Sequence, residues 1–321
     1  MSHLPTLQEI EAAAEIVYRN MPPTPQYSWP LLNRRAGREV WVKHENHTPV
    51  GAFKIRGGLV YMDWLRREHP RVKTIVSATR GNHGQSLAYA GALYGLRVVI
   101  VVPSDNSREK NAAMRALGAE LVEVDGDFQS AGDRALELAI EHGWHRVKSY
   151  EPHLVAGVAT YALEFLRAQA GLETAYIPVG MGSGVLGMVA VRDALGLSTE
   201  IVGVVSSRAR AQALSFAKGK VVEDAAETEI ADGVACRRPD PTALRLMRGG
   251  VKRLIEVDDD AVKGAMRLYF AATHNVAEGA GAIGLAALLQ DKENGGGRAG
   301  TVLCGGNVDS DVFARVLAEG L

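Results

Sequence analysis

Short apolar runs alternate with segments of helical periodicity along almost the whole chain. The apolar runs are rich in β-branched residues and predict strands in EVWVKHE, KTIVSA, RVVIVVP, ELVEVDG, TAYIPVG, EIVGVVS and GTVLCGG. Helices are predicted between them in GGLVYMDWLRRE, GQSLAYAGALYG, SREKNAAMRALGA, GVATYALEFLRAQA and VLGMVAVRDAL. Because parallel strands need crossover connections, this alternation predicts an α/β fold with parallel sheets and helices on both faces.

Length and composition narrow the class of protein. A chain of 321 residues is too long for one core, so two lobes are expected. The hydrophobic fraction of 47% and charged fraction of 23% are typical of a globular enzyme. A formal net charge of -1 argues against nucleic acid or a membrane surface as partner. Two cysteines, Cys236 and Cys304, are too few for a disulfide framework or a zinc cluster, which indicates a reducing cytoplasm.

The chain ends and its apolar content support the same expectation. The N-terminal segment predicts an amphipathic helix with acidic residues, which does not resemble a secretory signal. No apolar stretch reaches the length of a membrane span. NGGGRAG, near the C-terminus, is predicted to be a surface turn before the last strand. We therefore expect a cytoplasmic protein with no membrane partner.

Unusual, glycine-rich sequences follow three of the predicted strands. They are SATRGNHGQ, GMGSGVLG and CGGNVD. Ligands of open parallel sheets collect at the carboxyl ends of the strands. The three segments therefore predict one site at a common sheet edge.

A fourth segment, GAFKIRGG, places Lys54 between Phe53 and Ile55 in a glycine-flanked frame. One interpretation is an exposed lysine between two core residues. The other is a desolvated amine, because burial disfavours the ammonium and a neutral amine can form a Schiff base with a carbonyl. The octapeptide alone does not decide between them.

The segment PVGMGSGVLG predicts either an anion site or a tight turn. Gly180, Gly182 and Gly184 would let the backbone approach a phosphate at the start of a helix. The spacing differs from a dinucleotide fingerprint and lacks the P-loop lysine, so a phosphate monoester suits it better. A strand–helix turn that needs small residues explains the same glycines.

The other two segments also allow more than one interpretation. Asn82 could cap a helix or bond a ligand oxygen, and the neighbouring amides could hold a carboxylate. His83 is expected to be a packed residue, because no second ligand lies at metal spacing. Cys304 could be core, nucleophile or weak hydrogen-bond partner, and the sequence shows no base to activate it.

Together the segments offer an amine, a phosphate cradle, an asparagine loop and a thiol. A cofactor with an aldehyde, a phosphate and a heteroaromatic ring would engage all four. The sequence therefore predicts pyridoxal 5'-phosphate.

The order of the motifs KHENHTPVGAFKIRGG, GNHGQ, EKNAAMRALGAE, GMGSG, TEIADGVA, AEGAGA and CGGNVD resembles a known family. It is that of the fold-type II pyridoxal-phosphate enzymes, within the threonine/serine dehydratase and serine racemase branch. The resemblance implies a tryptophan synthase β-like fold of two parallel-sheet lobes. It also implies a homodimer, with a small mobile domain at 48–149 and a large cofactor-binding domain at 1–47 and 150–321.

Site roles are implied by the same resemblance. Lys54 would form the Schiff base and shuttle the α-proton, Phe53 would pack beside the ring, and Cys304 would face the pyridine nitrogen. The remaining cofactor-binding residues would be Asn82, Gly180, Met181, Gly182, Ser183, Gly184 and Glu278. The substrate would lie against Thr79, Arg80, Gly81, Asn82 and His83.

The implied reaction is α,β-elimination from a β-hydroxy-α-amino acid to a 2-oxo acid and ammonia. L-Threonine and L-serine are the default substrates, and 3-hydroxyaspartate and 3-phenylserine are further candidates. Amino-acid racemisation, β-replacement and a catalytically silent ligand-binding homologue are the competing functions.

Several departures limit the resemblance. Arg80 stands where racemases have a serine and many dehydratases an alanine, which disfavours two-base racemisation. The planar guanidinium of Arg80 could bind the substrate carboxylate or a second anionic group through two N–H donors. It could also form a salt bridge away from the site. Val205 and Ala211 replace carboxylates that bind Mg or Ca in some relatives, so no metal site is expected. Ala52 replaces a serine, and an isoleucine-responsive regulatory domain is not expected after CGGNVD.

Overall fold

The computed structural model describes residues 3–291 and 297–320. Its strands are β1 Gln26–Ser28, β2 Val40–His44, β3 Thr74–Ala78, β4 Arg97–Pro103, β5 Glu120–Val124, β6 His145–Arg146, β7 Thr174–Pro178, β8 Glu200–Ser206, β9 Arg253–Val257 and β10 Ala299–Leu303. Its α-helices are α1 Leu7–Tyr18, α2 Pro30–Ala36, α3 Lys54–Glu68, α4 Asn82–Leu93, α5 Arg108–Ala116, α6 Phe128–His142, α7 Pro152–Ala168, α8 Ser183–Ala194, α9 Ala211–Lys218, α10 Pro241–Gly250, α11 Asp259–Thr273, α12 Gly279–Gln290 and α13 Ser310–Ala318. Every strand and helix predicted from the apolar pattern is present.

The larger sheet has six strands in the order β1-β2-β10-β7-β8-β9. All neighbouring pairs are parallel except the edge strand β1, which is antiparallel to β2. The central strands are buried on both faces, and their β-branched side chains fill one large core with helices α7, α8 and α12. The predicted α/β fold is confirmed, with β1 as an antiparallel addition.

The smaller sheet has four parallel strands in the order β5-β4-β3-β6. Helices α3 and α4 pack on one face of it, and α6 covers the other face with a separate apolar cluster. Helix α3 also packs along α7, which belongs to the core of the larger sheet, so it contacts the helical layers of both sheets. The helices on both faces of the two sheets agree with the expected architecture.

The carboxyl ends of β3, β7 and β10 lead into the three unusual segments. Residues 294–296 of the predicted NGGGRAG turn lie outside the described residues, whereas its last two residues open β10. Within the described ranges, none of the helices is both long and apolar enough to cross a membrane.

Candidate active site

A cavity of about 710 Å³ lies where the three strand ends meet the start of α3. Both lobes contribute to its wall. All the cofactor and substrate residues expected from the sequence line it: Phe53, Lys54, Thr79, Arg80, Gly81, Asn82, His83, Gly180, Met181, Gly182, Ser183, Gly184, Glu278 and Cys304. The fold thus brings together residues from segments that are far apart in the chain.

Lys54 is the first residue of α3, and its amine faces the cavity. Its Nζ lies 3.2 Å from Ser183 Oγ and 4.7 Å from the centre of the Phe53 ring. The backbone N–H of Phe53 donates to the carbonyl of Cys304, which fixes this turn beside the end of β10. Burial lowers the pKa of Lys54 to about 8, although the Cys304 and Glu278 groups act in the opposite sense. Of the two interpretations, the structure supports the desolvated amine.

The glycine-rich loop enters α8 through a backbone that glycine alone adopts readily. Gly182 has φ +103° and immediately precedes the helix. A Cβ atom on Gly180 would lie 2.6 Å from the carbonyl oxygen of Gly233. The first-turn amides of Ser183 and Gly184 lack intrahelical acceptors and stand at the positive end of the helix dipole. The loop therefore has the geometry of an anion cradle.

Two side chains that sequence reasoning missed hold this loop in place. The Tyr161 hydroxyl donates to the Gly184 carbonyl at 3.0 Å, and Gln212 Nε2 donates to the Gly180 carbonyl at 2.6 Å. The Tyr161 ring also meets the Phe53 ring edge-on, with centroids 6.0 Å apart. Tyr161 lies in the predicted helix GVATYALEFLRAQA, and Gln212 lies in α9, which was not predicted. No local signal separates either residue from ordinary core residues.

Asn82 belongs to a buried polar network rather than to a helix cap. Helix α4 begins at Asn82 with Gly81 as its N-cap, and no side chain caps it. Asn82 Nδ2 donates to Glu278 Oε1 at 2.5 Å, and Asn307 Nδ2 donates to Asn82 Oδ1 at 2.9 Å. The capping interpretation of Asn82 is therefore wrong.

Lys110, in α5, extends this network to two carboxylates that are far away in the chain. Its Nζ lies 2.7 Å from Asp232 Oδ2 and 3.1 Å from Glu278 Oε2. Burial lowers the pKa of Lys110, but the two carboxylates outweigh it and raise that pKa above its ordinary range. Burial raises the pKa of Glu278, and Lys110 opposes this shift. Lys110 falls in the EKN motif that carried the resemblance, but its role was not predicted.

The loop after β3 presents a rigid surface to the cavity. Thr79 Oγ1 accepts a hydrogen bond from the Gly81 N–H at 2.9 Å. His83 is 8% exposed, and its Nε2 has no hydrogen-bond partner among the described residues. Burial, together with the charge of Lys54, lowers the pKa of His83 to about 3, so the imidazole is neutral at physiological pH.

The two cysteines are buried thiols. Cys304 Sγ donates to the Ala280 carbonyl at 3.3 Å, and burial raises the pKa of this thiol well above its ordinary value. Burial likewise raises the pKa of Cys236 to about 12. A neutral thiol is a poor nucleophile, so the structure favours the role of Cys304 as a weak hydrogen-bond partner.

Arg80 lies at the corner of the same loop and lines the cavity. Its Nη1 is 3.8 Å from Asp105 Oδ1, a carboxylate that is itself 71% exposed. Val205 lies in β8 and Ala211 opens α9, and both are buried. In the described part of the chain, no group of three or more His, Cys, Asp or Glu residues could hold a metal ion. The expectation of no metal site stays a prediction.

The arrangement suits pyridoxal phosphate. The cradle before α8 offers amides to a phosphate group, and the Lys54 amine lies one hydrogen bond from that cradle. The Phe53 and Tyr161 rings provide an apolar wall, and the Cys304 thiol presents no charge. These are the parts that a phosphorylated aromatic aldehyde requires. The fold and site define an α/β enzyme with a lysine amine beside a phosphate cradle.

Comparison with known proteins agrees with this class. The family model described as pyridoxal-phosphate dependent enzyme matches residues 17–305, so the chain belongs to that family. The chain is 28% identical over 317 residues to an L-threonine ammonia-lyase of Thermotoga maritima, covering 98% of this chain and 79% of that protein. It is also 28% identical to an L-threo-3-hydroxyaspartate ammonia-lyase of Saccharomyces cerevisiae, covering 98% and 97% of the two chains. A crystal structure of a pyridoxal 5'-phosphate-dependent aspartate racemase superposes with a TM-score of 0.90, at 26% identity and 95% and 97% coverage. The predicted family, fold and cofactor are confirmed.

Proposed function

We propose that this pyridoxal-phosphate dependent enzyme is an ammonia-lyase that converts β-hydroxy-α-amino acids to 2-oxo acids and ammonia. The observation that carries the proposal is the desolvated Lys54 amine, held 3.2 Å from the hydroxyl at the phosphate cradle. Relatives named for ammonia-lyase activity on threonine and 3-hydroxyaspartate support it. The substrate loses its α-hydrogen and β-hydroxyl as water, and hydrolysis of the resulting imine then releases ammonia.

Different residues of the cavity have different roles in this reaction. Pyridoxal phosphate, when bound, withdraws electrons from the α-carbon of an amino acid. Lys54 removes the α-proton, since its depressed pKa of about 8 leaves part of the amine population neutral near physiological pH. Gly180 to Gly184 would hold the phosphate, and the Asn82–Glu278–Lys110 network forms another part of the cavity wall. The Cys304 thiol is neutral, so it would offer a bound cofactor only a weak, uncharged hydrogen-bond partner, a setting that suits elimination with a rapidly departing β-hydroxyl.

The substrate's α-carboxylate binds at the start of α4 in this proposal. The first-turn amides of α4 have no intrahelical acceptors, and His83 in the same turn lines the cavity. Thr79 shapes the turn through its bond with Gly81. These contacts orient the α-hydrogen relative to Lys54.

Racemisation is the second candidate, because an aspartate racemase shares the fold. A racemase needs a second acid/base group on the face of the substrate opposite the lysine. Arg80 occupies the position at which the family's racemases have serine, and a guanidinium stays protonated throughout the physiological range. Elimination is therefore favoured.

Replacing Lys54 by alanine tests the proposal directly. Loss of the proton-transfer group alone should lower turnover by about 10²–10⁴-fold. The measurement is 2-oxo acid formation from threonine, serine, 3-hydroxyaspartate and 3-phenylserine. Lys218→Ala, at an exposed lysine at the end of α9, is the matched control. Near-normal turnover by Lys54→Ala would exclude this mechanism.

A parallel incubation with L-serine in D₂O separates elimination from racemisation. Elimination yields pyruvate and ammonia, whereas a racemase yields D-serine with deuterium at the α-carbon. Accumulation of deuterated D-serine as the main product would favour the second candidate.

We further propose that the protein is a cytoplasmic homodimer in which residues 48–149 move over the substrate. Two polar contacts between this range and the rest of the chain lie at the cavity and would close over a bound substrate: Arg237 meets Asp127 at 2.5 Å and Lys110 meets Asp232 at 2.7 Å. Exposed apolar side chains on β1, α2 and α11 support a dimer surface, namely Tyr27, Leu31 and Phe270.

A further inference from the structure

The cations that line the cavity differ in how firmly they are paired. Lys110 lies within 3.1 Å of two carboxylates, and Arg237 lies 2.5 Å from Asp127. Arg238 lies 3.4 Å from Glu223. Among these cations Arg80 has the longest ion-pair distance, with 3.8 Å between its Nη1 and Asp105 Oδ1. Arg80 is thus the cavity guanidinium most available to an incoming anion.

Turning Arg80 away from Asp105 costs little free energy. The Asp105 carboxylate is 71% exposed and the Arg80 side chain 30% exposed. Solvent-exposed ion pairs are worth about 0–1 kcal/mol. A substrate carboxylate offers the guanidinium a better, two-point partner.

The backbone beneath Arg80 is held firmly. Gly81 has φ +155°, and the Lys110 side chain packs so closely against it that a Cβ would clash with Lys110 Cδ. Thr79 ties the same turn through its bond to the Gly81 amide. Because Lys110 is anchored by Glu278 and Asp232, the loop presents Arg80 from a fixed position.

The α-carboxylate does not need Arg80. The amides at the start of α4 and the His83 imidazole already serve that group in the proposed function. Arg80 lies one residue before the α4 N-cap, next to this wall. The guanidinium is therefore left for a charge on the substrate's side chain.

We infer that Arg80 is a specificity-determining residue that selects β-hydroxy-α-amino acids with a second carboxylate, such as threo-3-hydroxyaspartate. The inference rests on the proposed ammonia-lyase function and adds the substrate class. The guanidinium exchanges Asp105 for the side-chain carboxylate when the substrate binds.

Selectivity is measured as the ratio of kcat/KM for threo-3-hydroxyaspartate to that for serine. Arg80→Ala should lower this ratio about 10- to 100-fold, the range of one charge-assisted hydrogen-bonded contact. Arg80→Lys should restore part of this selectivity ratio, because lysine keeps the positive charge but lacks the planar pair of N–H donors. Asp105→Asn should raise the ratio a few-fold by releasing Arg80. Arg115→Ala, at an exposed arginine paired with Glu123 outside the cavity, should leave the ratio unchanged.

Binding of non-reactive acids tests the same contact without turnover. Calorimetric titration with succinate and with butyrate compares two acids of equal chain length that differ by one carboxylate. Succinate should bind more tightly to the wild type, and Arg80→Ala should remove the difference.

An equal loss for serine and hydroxyaspartate in Arg80→Ala would overturn the inference, and so would no change in their ratio. A selective loss of 3-phenylserine turnover would assign Arg80 to ring stacking instead, which also overturns it. If the wild type acts on no hydroxy amino acid, the proposed function fails. The succinate and butyrate titrations still decide whether Arg80 reads a second carboxylate.

Discussion

Single residues show how burial sets protonation states in this protein. His44 and His83 are both buried, and burial lowers the pKa of His44 to about 4 and of His83 to about 3. An unfolded histidine has a pKa near 6.5. Between about pH 6.5 and 4 the unfolded chain therefore binds protons that the folded chain does not. The stability due to these neutral rings is present above about pH 6.5 and is lost as the pH falls.

Replacing His44 with glutamine should weaken this pH dependence. The His44 ring accepts a hydrogen bond from Trp29 Nε1 at 3.0 Å and lies outside the cavity, so the change tests stability rather than catalysis. Urea unfolding at about pH 7.5 and about pH 5 measures how far the free energy of unfolding falls between the two pH values. Each unit of pKa difference between the folded and unfolded histidine corresponds to about 1.4 kcal/mol. The loss should be smaller in His44→Gln than in the wild type. His142→Gln, on the exposed face of α6, is the control, and an equal loss in all three proteins would contradict the prediction.

At the scale of elements, the loop before α8 depends on two glycines for different reasons. Gly182 needs its positive φ, whereas Gly180 needs to lack a Cβ because the Gly233 carbonyl approaches closely. Left-handed backbone at a residue with a side chain costs about 1–3 kcal/mol. In a phosphate cradle that strain would also displace the amides from the anion.

Gly182→Ala should therefore release pyridoxal phosphate more readily and lower the free energy of unfolding. Equilibrium dialysis against the cofactor measures the first effect, and urea unfolding of the cofactor-free protein measures the second. Gly249→Ala is the matched control, since Gly249 lies in α10 and a methyl group added there would meet no neighbouring atom within 4 Å. Cofactor retention by Gly182→Ala equal to that of Gly249→Ala would refute the role of the loop.

At the scale of the whole molecule, a buried cluster of charges joins helix α3 to helix α7 and to the segment after β2. Arg56 bonds Glu45 at 2.7 Å and Glu164 at 2.6 Å, and Lys43 bonds Glu164 at 2.5 Å. Two positive and two negative groups balance, so the cluster adds no net charge near the cavity. It holds the helix that begins with Lys54 against β2 and α7.

The proposed dimer makes a prediction at the same scale. Phe270 and Leu31 lie on α11 and α2, which contact each other, and both remain exposed to solvent. Sedimentation equilibrium should give twice the chain mass of 34.4 kDa. Phe270→Asp should shift the protein toward the monomer, because it places a charge on an apolar contact surface. Ile140→Asp, at an exposed residue of the small lobe, should remain dimeric, and a monomeric wild type would refute the proposal.

The parts of the fold that were predictable are those in which local pattern and buried environment agree. The apolar runs of β4, β7 and β8 predict central parallel strands because both faces of those strands are covered. The antiparallel β1 was not predicted, because a three-residue edge strand carries too little pattern. Lys110 and Tyr161 were missed for a different reason, since their roles depend on partners far away in the chain.

The sequence by itself determined the α/β class, the family and the motif residues that meet at the cavity, because each strand, turn and glycine motif is encoded locally. Tertiary structure alone decided the charge states and partners of those residues. The depressed pKa of Lys54, the neutral thiol of Cys304 and the bond from Asn82 to Glu278 all arise from burial and from contacts between distant segments. Desolvation and pairing depend on where atoms lie in three dimensions, and spacing along a chain does not specify that.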